Sequence, residues 1–351
     1  MDKTLQNKGR ILYLDLLRIL AVLGSMSVHV SGQNRFNFDV RTYDWIVNAS
    51  YDYILLGSAL PVLIMISGAL FLSRDISIEK IYKKYVLRMA IIFLVWSLIY
   101  SVLFELIPGH GLKAFFSQFI QGRYHLWVFF MISGMYMITP FLRKIVQDKE
   151  LTIYFLILAF IFAVVIENAT YLLELFSPEA YELSQIVIKN AHFHFVLGYP
   201  IYFVLGYFYN TYGISRKAER WIYILGIFSF VACPVTSILF SLHINEPASP
   251  FLITFTFFKS VLVFTLVKNI LSAKPVFQKN SKLIQSLSNY TLGAYLVHDI
   301  VMNGLSYFFH LRTDTFNPLF SIPIIAVIVA VLSYASSAIL NHIPFVKKHF
   351  V

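Results

Sequence analysis

Apolar runs of about twenty residues, separated by short polar breaks, recur along the whole chain. A helix needs roughly twenty apolar residues to cross the hydrocarbon core of a bilayer, so the pattern predicts an all-α, polytopic integral membrane protein. The runs fall at 11–30, 51–72, 86–107, 125–142, 151–175, 193–210, 221–241, 250–267, 287–309 and 319–341, giving ten transmembrane helices in a single membrane domain over residues 1–351. The first run carries Asp15 and Arg18, lacks a small-residue cleavage pattern and is followed by nine others. It is therefore expected to be a retained span and not a signal peptide.

Composition fits this class, with 58% of residues hydrophobic, 13% charged, and 34 Phe and 22 Tyr in 351. Cys233 is the single cysteine, which excludes an internal disulfide and any multi-thiolate metal site. The basic residues are distributed asymmetrically. Of the 28 Lys and Arg, 20 fall in one alternating set of gaps, counting Arg88 at the start of the third run with its adjoining gap, and 6 in the other, with Arg18 and Lys259 deeper inside spans. Positive residues favour cytoplasmic loops, so both termini are expected in the cytoplasm. The net charge of +10 follows from that topology and requires no nucleic-acid partner.

Charge inside the apolar runs is more telling. Arg18 lies about two turns into the first run and His29 follows 11 residues later. That interval advances a helix by roughly 1100° and 16 Å, so both side chains face the same way, with Ser25 between them on that face. Ionisable residues within a membrane are costly and usually line a pathway or polar cavity. The alternative is structural, with Arg18 paired to Asp15 and His29 at the helix end. Farther along, Lys259 and Asp299 are expected to neutralise one another across two helices. His298 would either line a channel or bond a neighbouring helix. His125 and Trp127 open the outer end of the fourth run, where a Trp also suits interfacial anchoring. Glu105, Glu167, His192 and His194 lie toward the outer side without a ranking. None of these residues has the i, i+4 spacing of a helical zinc site, so no metal is expected.

Four segments carry a specific likeness. The text from Arg10 to His29 resembles the opening of the membrane acyltransferase family 3, with Arg18, ten residues, then His29. Pro61 to Ser67-Gly68 resembles that family's second span, and Tyr124-His125-Leu126-Trp127 with Tyr136 and Thr139-Pro140-Phe141-Leu142-Arg143 is similar to its fourth, although Val128 stands where Phe usually follows the Trp. Ser288 through Gly293 and Tyr295 to His298 resembles the family's late Ser…Gly-x-Tyr-Leu-x-His pattern.

The resemblance implies a cell-membrane enzyme of the bacterial cytoplasmic membrane, embedded among membrane lipids. It would transfer an acyl group, foremost acetyl, from cytosolic acyl-CoA (acetyl-CoA), a donor substrate and not a bound cofactor. The acceptor would be a hydroxyl of a cell-surface glycan or lipid-linked saccharide. In that scheme His29 is the general base, since a neutral imidazole can accept a hydroxyl proton, and Arg18 anchors the donor through its planar fork. Ser25, His125, Trp127 and His298 are candidates for contact with substrate or channel. The basic residues Arg74, Lys83, Lys84, Arg88 and Arg143 are candidates for holding the nucleotide head of the donor. A transporter of a polysaccharide or lipid-linked intermediate is the alternative reading, because it also needs a polar path lined by Arg, His and aromatic rings.

The charge asymmetry makes a topological prediction. A reporter fused after Val351 is expected to read as cytoplasmic and one inserted near Ser177 as external, and termini on opposite sides would overturn the even span count.

Overall fold

A computed structural model of the chain describes residues 6–7, 10–34, 37–55, 57–166, 168–170, 173, 177–191, 198–249, 252–273 and 281–350. The helices are α1 (Leu12–Gly32), α2 (Tyr43–Leu55), α3 (Ala59–Phe71), α4 (Ile78–Leu106), α5 (Leu112–Gln121), α6 (Val128–Val146) and α7 (Lys149–Phe160). They continue with α8 (Pro178–Ala191), α9 (Pro200–Thr211), α10 (Arg216–Ile244), α11 (Leu252–Ala273), α12 (Ser281–Phe309), α13 (Pro318–His342) and α14 (Pro344–His349). Two-residue strands, Gln6–Asn7 and Arg10–Ile11, pair antiparallel just before α1.

Among the described residues eight stretches are long and apolar enough to cross a membrane, with α2 and α3 taken together as Tyr43–Phe71 and α7 taken with its continuation as Lys149–Thr170. Two expected spans differ from that set. Around 193–210 the described helix is only the 12-residue α9, and 192–197 lie outside the described residues. The run at 287–309 belongs to the 29-residue α12, whose Ser288, Asn289, Thr291, His298 and Asp299 make it more polar than the eight.

The run at 51–72 is not one helix. It is divided between α2 and α3 by a break at Gly57, whose φ of +86° suits glycine and which lies against the Thr256 side chain. That break explains a second departure. Lys259, fully buried, donates to the carbonyl oxygens of Tyr53 (3.0 Å) and Ile54 (3.4 Å), with Cys233 Sγ at 3.7 Å. The expected Lys259 to Asp299 pair is replaced by a cation at the C-terminal end of α2, where the backbone carbonyls released by the break need a donor and the helix dipole favours positive charge.

α1 runs through the centre of the bundle and packs against α2, α3, α12 and α13. Its buried apolar face, with Leu14, Leu17 and Ile19, joins a core shared with Ile64, Met65 and Phe203. α3 and α9 meet backbone to backbone. A Cβ on Gly68 would stand 1.8 Å from the Phe203 carbonyl oxygen, and one on Gly206 would stand 1.9 Å from that of Met65. Between lipid-embedded helices such close approach supplies dispersion contact that larger residues prevent.

Gly68→Ala is therefore expected to cost about 1–3 kcal/mol through overpacking, read as a lower melting temperature in detergent. Gly134→Ala, with no atom within 4 Å of the added carbon, is expected to leave it unchanged. Equal melting of the two variants would rule out the close-packing role.

Candidate active site between α1 and α12

α12 lies beside α1 and runs in the same direction, so residues far apart in sequence meet at two levels. At the first level Asp15, 4% exposed, accepts from Arg10 Nε (2.7 Å) and Nη2 (3.1 Å) and from Ser288 Oγ (2.7 Å). Arg18 Nη1 donates to Ser288 Oγ at 3.3 Å and stands 3.7 Å from Asp15. Arg10 reaches on to the Gln285 carbonyl and Asn289, tying the start of α1 to α12. A buried carboxylate among two guanidiniums and a hydroxyl is well satisfied, which its burial requires.

At the second level, 11 residues along α1 and 10 along α12, His29 Nδ1 and His298 Nε2 are 2.7 Å apart. Their rings lie end to end and nearly coplanar, with centroids 4.9 Å apart and planes 22° apart. His125 completes a cluster of three imidazoles, its ring 4.8 Å from that of His298 and 6.2 Å from that of His29. His125 is 1% exposed, and neither of its ring nitrogens has a hydrogen-bond partner among the described residues. It is held by its backbone carbonyl, which accepts from Tyr295 Oη at 2.8 Å, and by edge-to-face contact with Tyr100. His29 also packs edge-on against Tyr124, 5.0 Å between centroids. Among the described residues no group of three or more His, Cys, Asp or Glu is placed to hold a metal ion.

The next residue along α12 after His298, Asp299, is fully buried. Its carboxylate accepts from Arg123 Nε (2.7 Å), Tyr124 Oη (3.0 Å) and Asn303 Nδ2 (3.0 Å). Arg123 also sits over the Phe104 ring at 4.5 Å. Gly122 delivers these residues. Its φ of +74° reverses the chain after α5, and a Cβ there would strike Phe93. Burial and the Asp299 carboxylate push the Tyr124 phenol up from its ordinary pKa, so it remains a donor to that carboxylate.

Three cavities follow the α1 face. The first, about 420 Å³, is lined by Arg18, Arg88, Ser67 and Tyr136. A second, about 510 Å³, holds Ser25, His29, His125 and Trp127 and shares walls Leu60, Leu63, Val128 and Tyr295 with the first. The third, about 370 Å³, is lined by Gln33, Asp52, Arg123, Tyr124 and Asp299 and shares Val28 and His29 with the second. His29 thus forms part of the wall shared by the second and third cavities.

A family model, acyltransferase family 3, described as an acyltransferase domain, matches residues 11–341. The chain belongs to that family. No curated protein and no solved structure matches it.

In this family 3 acyltransferase domain the site candidates separate. Arg18, Ser25, His29, His125 and Trp127 all line the first two cavities, and His298 stands directly behind His29. Trp127 is 44% exposed and packs on Tyr199. Of the basic residues, Arg88 joins Arg18 in the first cavity, while Arg74 and Arg143 line a separate one of about 600 Å³. Lys83 is exposed and paired with Glu79, Lys84 lies beside Tyr85, and neither lines these cavities. Glu105 faces His110. Glu167, His192 and His194 lie outside the described residues. Sequence reasoning treated Arg123 only as a loop charge and passed over Asp52 and Asn303. The position of Arg123 directly before Tyr124-His125 was the available signal.

Because no hydrogen bond is lost, His125→Phe is expected to leave the melting temperature of the acyltransferase domain within a few degrees. It is also expected to lower transfer at least about tenfold by removing a polar group from the cavity wall. A variant with full activity would make His125 a packing residue.

Proposed function

We propose that the chain is an O-acyltransferase of the bacterial cytoplasmic membrane, with ten spans and both termini in the cytoplasm. It carries acetyl from cytosolic acetyl-CoA to a hydroxyl of a cell-surface glycan or lipid-linked saccharide. The observation that carries this reading is the position of His29, which borders both the cavities reached from Arg18 and the polar cavity beyond.

In this reading the donor's phosphorylated head stays at the inner mouth, against basic residues that include Arg88 and, on the loops, Arg74, Lys83, Lys84 and Arg143. The thin pantetheine arm enters past Arg18, whose guanidinium suits a phosphate or carbonyl oxygen. The acceptor enters from the cavity lined by Asp52, Arg123, Tyr124 and Asp299, a set of acceptors and donors matched to hydroxyl groups. His29 takes the hydroxyl proton as the oxygen attacks the thioester carbonyl. The new C–O bond forms, the C–S bond breaks, and the proton passes to the departing thiolate. His125, with unbonded ring nitrogens at the same wall, faces the reacting groups.

The test is transfer from labelled acetyl-CoA by purified protein to a glycan acceptor, beside calorimetry with coenzyme A. His29→Ala is expected to lose about a hundredfold or more of the transfer rate while binding coenzyme A as the wild type does. Arg18→Ala is expected to weaken coenzyme A binding, and Arg18→Lys to restore it only in part, because an ammonium lacks the two-pronged contact. More than a tenth of the activity remaining in His29→Ala would reject His29 as the base. Unchanged coenzyme A affinity in Arg18→Ala would return Arg18 to a structural role.

A further inference from the structure

We infer that His298 is the positioning residue that fixes which nitrogen of His29 accepts a proton. This rests on the reading of His29 as the base, and it is carried by a directed chain of hydrogen bonds. A carbonyl oxygen can only accept, so the bond between His298 Nδ1 and the Tyr295 carbonyl places a hydrogen on His298 Nδ1. A neutral imidazole protonated at Nδ1 offers only a lone pair at Nε2. His298 Nε2 is bonded to His29 Nδ1 at 2.7 Å, so the hydrogen of that bond belongs to His29 Nδ1. The lone pair of His29 is thereby assigned to Nε2, and no group among the described residues bonds that atom.

His298 cannot turn away from this arrangement without disrupting its surroundings. It is fully buried, with the His125 ring edge-on at 4.8 Å and the Tyr295 ring at 5.5 Å. The charged and titratable groups nearest the pair are His125, Tyr124 and Arg123 from the loop before α6, Asp52 from α2, and Tyr295 and Asp299 from α12 itself. Asp299 is engaged by Arg123, Tyr124 and Asn303, which leaves His298 as the bonded partner of His29 Nδ1. When the acceptor's proton arrives at His29 Nε2, the imidazolium keeps its Nδ1 hydrogen directed at His298 Nε2. No bond to carbon forms or breaks at His298. It holds a base in its productive tautomer, as the third member of a nucleophile–base–orienter set does.

Nitrogen NMR of histidine-labelled protein in lipid nanodiscs tests this directly, with the His29 signals identified by their loss in His29→Ala. The wild type is expected to show His29 protonated at Nδ1 and bare at Nε2. His298→Leu is expected to redistribute His29 toward the Nε2-protonated form and to lower kcat on the order of a hundredfold or more with little change in KM for the donor. In His298→Gln the amide oxygen supplies an acceptor near the position of Nε2, so the wild-type tautomer and much of the rate are expected to return. Wild-type His29 protonated at Nε2 would overturn the inference without any His298 variant having to fold. So would a folded His298→Leu protein that keeps both tautomer and rate. An active His29→Ala enzyme would instead reject the base assignment and leave the tautomer measurement standing.

Discussion

The register between α1 and α12 is the constraint on which the rest of the site depends. It is fixed near one end by the Asp15 carboxylate, which draws in Arg10, Arg18 and Ser288, and toward the other by the contact between His29 and His298. A hydrogen bond or ion pair inside a lipid-embedded bundle has no water to replace it, so a slip of one residue would leave a buried carboxylate and two imidazoles without partners. The two levels therefore reinforce each other. A nearly equal advance along two parallel helices, 11 residues on α1 and 10 on α12, brings the two levels together along the same seam.

Burying polar residues in this setting has required irregular backbone elsewhere. The chain breaks at Gly57, and the carbonyls freed at the end of α2 are met by Lys259, a cation that reaches them from α11. Gly122 turns the chain so that Arg123, Tyr124 and His125 meet α12 around His298 and Asp299. Non-helical backbone at such depth persists where protein groups or a cavity satisfy it. Both breaks lie beside the cavities, so the same departures from regular helix that demand compensation also create the space a substrate needs. The close approach of α3 and α9 through Gly68 and Gly206 compensates in packing.

The pattern of polar groups also separates scaffold from chemistry. Asp299 has three donors and Asp15 four bonded or nearby ones, whereas the two ring nitrogens of His125 have no partner among the described residues. Buried polar atoms in folded proteins are nearly always paired, and those left open at a cavity wall are the ones a ligand can complete.

The sequence alone determined what depends on local spacing and composition. Twenty-residue apolar runs call for membrane helices, and an interval of 11 residues puts Arg18 and His29 on one helical face. Those properties are fixed by the geometry of one segment in its solvent. The family was legible too, as the matching family model bears out. What the sequence could not decide was which buried charge meets which. Lys259 and Asp299 looked complementary by sign, yet Asp299 is bonded to Arg123 and Lys259 to backbone carbonyls. The break inside 51–72 and the 269-residue separation of His29 from His298 were equally hidden. Partner choice between helices depends on crossing, register and depth, and these are set jointly by the packing of all the helices against one another, a property no single segment carries.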